Sequence, residues 1–179
     1  MAGKEPDTAA ATGSGVAAPG IVTAALLVIG DEILSGRTKD KNIGFVAEYL
    51  TEIGIDLKEV RVVPDEEAEI VAAVNTLRSR YTYLFTTGGI GPTHDDITAD
   101  CVAKAFGLPL HYHPQAVEIM RERVAKTGGV MNQARMRMTR VPEGGELVLN
   151  TVSGAPGFRI GNVIVMAGIP VSYTHLRAH

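Results

Sequence analysis

The chain has a single cysteine, Cys101, in 179 residues. That excludes an intrachain disulfide framework, and a lone thiol fits a reducing compartment, so a cytoplasmic location is expected. No apolar run approaches the ~20 residues that cross a bilayer, so no membrane partner is expected. Neither charge is in large excess. The net value of −3 gives no footprint for non-specific nucleic-acid binding. Residues 1–20, MAGKEPDTAAATGSGVAAPG, lack the basic start and apolar centre of a signal peptide. They are small, polar and aperiodic, and read as a disordered tail or as the product of a misplaced start codon. What is there is ordinary for a globular protein: 45% hydrophobic and 21% charged residues, in a length that suits one domain with a substantial core.

From residue 21 the chain alternates strand and helix patterns. IVTAALLVI (21–29) is a continuous apolar run closed by Gly30, as expected of a strand buried on both faces. Residues 42–53 put Ile43, Val46, Leu50 and Ile53 on one helical face, with Asn42 as a candidate N-cap and Gly54 as a stop. IDLKEVRVV (55–63) alternates like a strand. Pro64-Asp65 then opens a helix with acids in its first turn and Ile70, Val71, Val74 and Leu77 inward. YTYLFTT (81–87) is a third strand, and a helix follows from about Asp96 to Phe106. This is a parallel α/β pattern with right-handed crossovers.

The second half is less regular. LPLHYH (108–113) suggests a short strand, and Pro114 suits the first position of a helix running to about Lys126. A short helix over 131–139 and strands in GELVLN and GNVIVMAG complete the pattern, with TVSGAPGFRI as a loop and turn between those strands. Residues 171–179, VSYTHLRAH, match neither pattern and read as a translated sequencing adapter. On that reading the natural sequence continues differently beyond about Pro170. The domain is then 21–170, truncated, and Tyr173, His175, Arg177 and His179 carry no function.

The chemistry concentrates in TTGGIGPTHDDIT (86–98). The stretch joins the C-terminal end of a parallel strand to a helix, the edge where open α/β sheets bind ligands. Gly88, Gly89, Ile90 and Gly91 can turn so that successive N–H groups converge on a phosphate, aided by the helix N-terminus. Glycines in such a turn also have a purely steric use. Thr93 and His94 lie in the same loop, and His94 can contact phosphate or relay a proton. Asp95 and Asp96 follow at once, although carboxylates repel phosphate. One of them can cap the helix. Two exceed what a cap needs, and a divalent cation, Mg²⁺ or Mn²⁺, resolves the conflict by lying between carboxylate and phosphate.

Two more acidic loops strengthen this reading. VIGDEILSGRTKDKN (28–42) follows the first strand and VVPDEE (62–67) the second. In a parallel sheet all three loops share one edge, so Asp31, Glu32, Asp65 and Asp96 can converge there. Asp31, Glu32, Asp95 and Asp96 are the candidate metal ligands, and Asp31, Asp65 and Asp96 the candidate catalytic acids. Asp65 can equally cap its helix.

GDEILSGRTKDKN, VVPDEEAEI, TTGGIGPTHDDIT and NTVSGAPGF occur in the order and spacing of the molybdopterin-binding domain superfamily (MoaB/Mog-like). The chain most resembles its competence/damage-inducible, CinA type. GGIGPTHDD departs from the Ser-Pro-Arg-Asp-like stretch usual in dedicated molybdenum-cofactor enzymes, which favours that type. The resemblance implies a three-layer α/β/α domain with a mostly parallel sheet, often homo-oligomeric. It implies a ligand pairing a ring with phosphate or pyrophosphate: molybdopterin, its adenylylated form, or a nucleotide. It further implies metal-dependent hydrolysis of a nucleotide pyrophosphate such as ADP-ribose or flavin adenine dinucleotide. The key aspartate falls on Asp96 and a second acidic position on Asp65 or Glu66. The matching motifs extend the candidate phosphate contacts to Thr98, Gly154, Ala155, Pro156 and Gly157. The larger proteins of this type carry a C-terminal amidase domain. A molybdenum-cofactor transferase or carrier and a non-catalytic nucleotide-binding module are the other readings.

Other residues have structural readings. His111 and His113 form a His-x-His pair with no third ligand nearby in sequence, so they read as surface or packing residues. Cys101 reads as a buried thiol, and Met131, Met136 and Met138 as core filling. Arg121, Arg123, Lys126, Arg135, Arg137 and Arg140 make a basic segment, either a solvated face or an arm over an anionic ligand.

Overall fold

A computed structural model of the chain describes residues 20–149 and 156–167. The first strand, β1 (Thr23–Ile29), is the predicted apolar run, and from Ala24 to Ile29 no residue is more than 2% exposed. It carries helices on both faces. Ala25, Leu27 and Ile29 meet α3 (Glu67–Arg80) and α4 (Thr98–Phe106). Ala24, Leu26 and Val28 meet Val46, Tyr49 and Leu50 of α2 (Asn42–Glu52). Two-faced burial is why no polar alternation appears in this run.

The main sheet has the order β2-β1-β3-β8-β7-β6, with β2 at Asp56–Val63, β3 at Tyr83–Thr87, β6 at Glu146–Val148, β7 at Gly157–Ile160 and β8 at Val163–Met166. The β1 strand pairs parallel with β2 and β3, and β3 pairs parallel with β8. The β7 strand runs antiparallel to β8 and β6 antiparallel to β7. The fold is the expected three-layer α/β/α arrangement with a mostly parallel sheet. The chain steps from β1 outward to β2, then back across to β3, so the strand order reverses between β1 and β3. The outer strand β2 carries Asp56, Lys58, Glu59 and Arg61, paired as Lys58–Asp56 at 2.9 Å and Arg61–Glu59 at 2.6 Å. A small antiparallel ribbon joins β4 (Leu110–Tyr112) to β5 (Arg140–Pro142). Helix α5 (Pro114–Lys126) and the short α6 (Gln133–Arg137) lie between these strands in sequence. Among the described residues no helix is long and apolar enough to cross a membrane.

Several local expectations need correction. TVSGAPGFRI is not loop throughout: Gly157–Ile160 forms β7, where Phe158 and Ile160 are buried and Arg159 is exposed. The rest of that segment, like residues 171–179, lies outside the described residues. Asp31–Leu34 forms a short helix, α1, inside the expected loop. Asn42 does not cap α2; it is the first helical residue, and the Asp40 carboxylate accepts the Ile43 N–H at 2.7 Å. Ile53 is 51% exposed because α2 ends one residue earlier. Met131, Met136 and Met138 are only partly buried.

Two backbones approach closely where β1 and β3 end. Gly88 has φ +97°, and a Cβ placed on it would lie 2.0 Å from the Ile29 carbonyl oxygen. That contact cannot relax without moving a buried strand. Gly88→Ala should therefore destabilise the protein by at least about 2 kcal/mol. Gly44, on α2 with open space around its Cα, should behave oppositely: Gly44→Ala should add about 0.5–1 kcal/mol. Urea unfolding of both variants checks the pair, and equal stabilities would refute the close approach.

Candidate functional site

The loops that follow β1, β2 and β3 meet at one edge of the sheet. They enclose a cleft of about 560 Å³ lined by Asp31, Glu32, Asp65, Asp95 and Asp96, with Arg37, Gly89, Gly91 and Thr93 also in its wall. That volume is in the range of small-molecule sites. Asp65 does not cap α3, whose N-cap is Glu66. Its Oδ2 instead accepts the Asp31 N–H at 3.0 Å and ties the second loop to the first. Burial holds the Asp65 carboxyl above its ordinary range; the Asp31 N–H opposes this, and the negative charges of Glu32, Asp31 and Asp96 add to it.

Neither Asp95 nor Asp96 caps α4. The helix begins at Thr98 with Ile97 as its N-cap. Asp96 Oδ2 accepts the Thr93 N–H at 2.7 Å and the Thr93 hydroxyl at 2.6 Å, closing the loop on itself. Asp95 is exposed and pairs with His94, Oδ1 to Nε2 at 2.9 Å, so the imidazole projects outward. Thr98 is fully buried; its hydroxyl donates to the Gly88 carbonyl at 2.9 Å and its N–H to the Gly89 carbonyl at 3.0 Å. It shapes the glycine turn from behind. Gly89 has φ +64°, and a Cβ there would stand 2.2 Å from Thr98 Oγ1. The steric use of glycine thus applies at Gly88 and Gly89, and the same turn faces the cleft.

The opposite side of that turn is basic. A small pocket next to the cleft is lined by Gly89, Ile90, Gly91 and Asp96 together with Arg137 and Arg140, and closed by Pro156 and Phe158. Arg140 is committed: it grips Asp100 of α4 through two bonds of 2.9 and 2.7 Å and donates through Nε to the Arg137 carbonyl. This pair anchors the segment that presents Arg137 to the glycine loop. The expected basic segment therefore divides. Arg121 pairs with Glu118 at 3.8 Å, and Arg135 bonds the Val130 carbonyl beside the Asn132 cap of α6. Gly157 lies in β7, where a Cβ would be 2.3 Å from the Val165 carbonyl oxygen, so close strand packing requires glycine there. Gly154 and Ala155 lie outside the described residues.

Among the described residues no three His, Cys, Asp or Glu side chains form a ready metal-binding group. His111 is exposed, while His113 precedes α5 and donates its N–H to the Thr139 carbonyl. Cys101 is buried and its thiol is pushed up to about 12, mainly by burial, which suits packing and not nucleophilic work.

The comparisons with known proteins agree with this architecture. Residues 25–176 match the family model described as a probable molybdopterin binding domain. A CinA-like protein of Anaeromyxobacter dehalogenans is 33% identical over 155 residues, 84% of this chain and 38% of that protein. A probable FAD synthase of Caenorhabditis briggsae is 34% identical over 167 residues, 83% of this chain and 32% of that protein. The chain thus spans about a third to two-fifths of these relatives' length. The crystal structure of CinA from Thermoplasma acidophilum, titled as of unknown function, superposes with a TM-score of 0.77 at 30% identity, covering 86% of this chain and 92% of that one. The MoaB structure from Thermus thermophilus, at 18% identity and a TM-score of 0.52, shares the fold. The chain belongs to the molybdopterin-binding domain family, and within it to the CinA type.

The sequence reading named Pro156 but missed Phe158 of the small pocket's apolar lid and Arg137's place against the glycines. Phe158 comes from β7, read as loop, and Arg137 is one of six basic residues with no pattern to single it out. Asp65 generates a prediction of its own. Its folded-state proton affinity is raised, so between the ordinary carboxylate pKa and the raised value the native chain holds a proton that the unfolded chain has released. Stability falls as pH rises through that window and stays lower above it. Asp65→Asn keeps an acceptor for the Asp31 N–H and removes the charge. The variant should melt higher than wild type at pH 7, with the gap closing below about pH 4. Melting temperature against pH checks this, and a variant less stable than wild type at pH 7 would refute it.

Proposed function

We propose that this domain binds a nucleotide pyrophosphate and hydrolyses it with a divalent cation. One observation carries the reading: Gly89, Gly91 and Asp96 form a wall shared by the acidic cleft and the basic pocket. A pyrophosphate laid on the glycine turn has Arg137 on one flank and the carboxylates of Asp31, Glu32 and Asp65 on the other. Carboxylates next to phosphate are tolerable only with positive charge between them. The donor set fits Mg²⁺ or Mn²⁺, because such an ion takes one or two carboxylates and completes its shell with ligand phosphate oxygens and water. One or two of Asp31, Glu32, Asp95 and Asp96 would hold the ion, which would neutralise and polarise the phosphate oxygens when bound.

The chain's own residues supply the rest. Glycine-loop amides orient the phosphate, and Arg137 meets the charge that develops on it. Asp65 Oδ2 is held by the Asp31 N–H, and this fixed carboxylate in the cleft wall takes a proton from water as general base. The water oxygen bonds to phosphorus as the bridging P–O bond breaks, giving two phosphomonoesters. A relative named as a probable FAD synthase supports a dinucleotide as one ligand class. The family description favours a second reading, a pterin-phosphate carrier, for which tight pterin binding without turnover is the signature.

The test is a product-resolved assay on ADP-ribose and flavin adenine dinucleotide across Mg²⁺ and Mn²⁺ concentrations. Asp96→Asn keeps an amide oxygen for Thr93 and loses the charge. It should lower turnover by ~10²–10³ while the melting temperature stays near wild type. Full activity in Asp96→Asn would reject the role of that carboxylate, and absence of turnover in wild type would reject hydrolysis.

A further inference from the structure

The small pocket beside the cleft holds two arginines in opposite states. Arg140, the first residue of β5, is engaged: its fork takes both oxygens of Asp100, Nη1 to Oδ1 at 2.9 Å and Nη2 to Oδ2 at 2.7 Å. Arg137, the last residue of α6, is half-buried in the wall of the same pocket. Among the described residues its guanidinium makes no hydrogen bond and no ion pair. Such a group carries a partly desolvated charge and several unused donors, a costly state that a structure normally relieves with a carboxylate.

A carboxylate lies close enough to do so. Arg140 donates through Nε to the Arg137 carbonyl at 3.2 Å while the far edge of the same guanidinium grips Asp100. The Asp100 carboxylate is therefore one guanidinium's width from the Arg137 backbone, well inside the reach of an arginine side chain. What separates them is the fork of Arg140, whose paired bonds use both carboxylate oxygens in the geometry that arginine and carboxylate prefer. Asp96, the carboxylate in the pocket's own lining, is also engaged, with Oδ2 held by the N–H and hydroxyl of Thr93. We infer that Arg140 is a positioning residue that acts by occupation: it saturates Asp100, and so leaves Arg137 un-neutralised and free to meet a phosphate ligand on the glycine turn. This rests on the proposed placement of pyrophosphate there but not on its hydrolysis.

The experiment measures ADP-ribose affinity by calorimetry, without divalent cation and at one ionic strength, with melting temperature as the folding control. Arg137→Gln sets the floor and should bind roughly ten- to a hundredfold more weakly than wild type, the worth of one charge-assisted contact. Breaking the Arg140–Asp100 pair from its two ends should then give opposite results. Arg140→Met keeps an aliphatic stem and releases Asp100 to take Arg137, so affinity should fall close to the floor. Asp100→Asn removes the competing charge and still accepts a bond from Arg140, so affinity should equal or exceed that of wild type. Arg140→Met combined with Asp100→Asn should recover wild-type affinity. Should Arg140→Met not fold, Arg140→Gln, whose amide still donates to Asp100, should show the same fall. A pair that only anchors the segment would weaken binding when broken from either end, with no recovery in the double variant, and that result would overturn the inference. Wild-type affinity in a folded Arg140 variant would overturn it too. Unchanged affinity in Arg137→Gln, or no binding by wild type, would reject the placement of pyrophosphate and the inference with it.

Discussion

The closeness of the β1 and β3 ends governs the geometry of the whole site. Gly88 sits against the Ile29 carbonyl with no room for a side chain, so the two strands deliver their loops to nearly the same point. The acidic loop after β1 and the glycine loop after β3 are thereby neighbours, although about sixty residues separate them in sequence. The reversal of strand order at this point opens crevices on both sides of the contact. A larger residue at position 88 would push the strands apart and separate the functions that the loops combine.

The site's electrostatics run against the stability of the fold. Five carboxylates line one cleft, and Asp65 is held partly out of water among them, with its proton affinity raised as a result. A folded core needs none of this. Proteins commonly accept such local cost where binding demands it. The opposing feature is structural order: Asp65 fastens one loop to another, Asp96 fastens its own loop through Thr93, and Asp100 fastens Arg140. The carboxylates at the site's centre are thus positioned by hydrogen bonds that survive neutralisation of their charge.

The first half of the fold was legible because its signals are periodic and local. Each of β1, β2, β3 and their helices has either a buried apolar run or a helical stripe, and the turn residues bound them. The shared edge of the three loops followed from parallel pairing alone. The second half was less legible because its elements are three to five residues long and depend on partners. The β7 strand has just two inward apolar residues, Phe158 and Ile160, and its identity comes from pairing with β8. Thr98 entered the candidate contacts through the matching motifs, and its burial behind the glycine turn, which it braces, has no sign in the sequence.

The outer strand β2 has a consequence for how copies of the chain can meet. An exposed strand edge is a template for another strand, and continuous sheets between molecules grow from such edges. Here the edge presents alternating acids and bases already paired along the strand, Asp56 with Lys58 and Glu59 with Arg61. A second copy docking edge to edge would have to strip water from these charges and would gain few apolar contacts in return. This rim is therefore guarded against fibrillar growth.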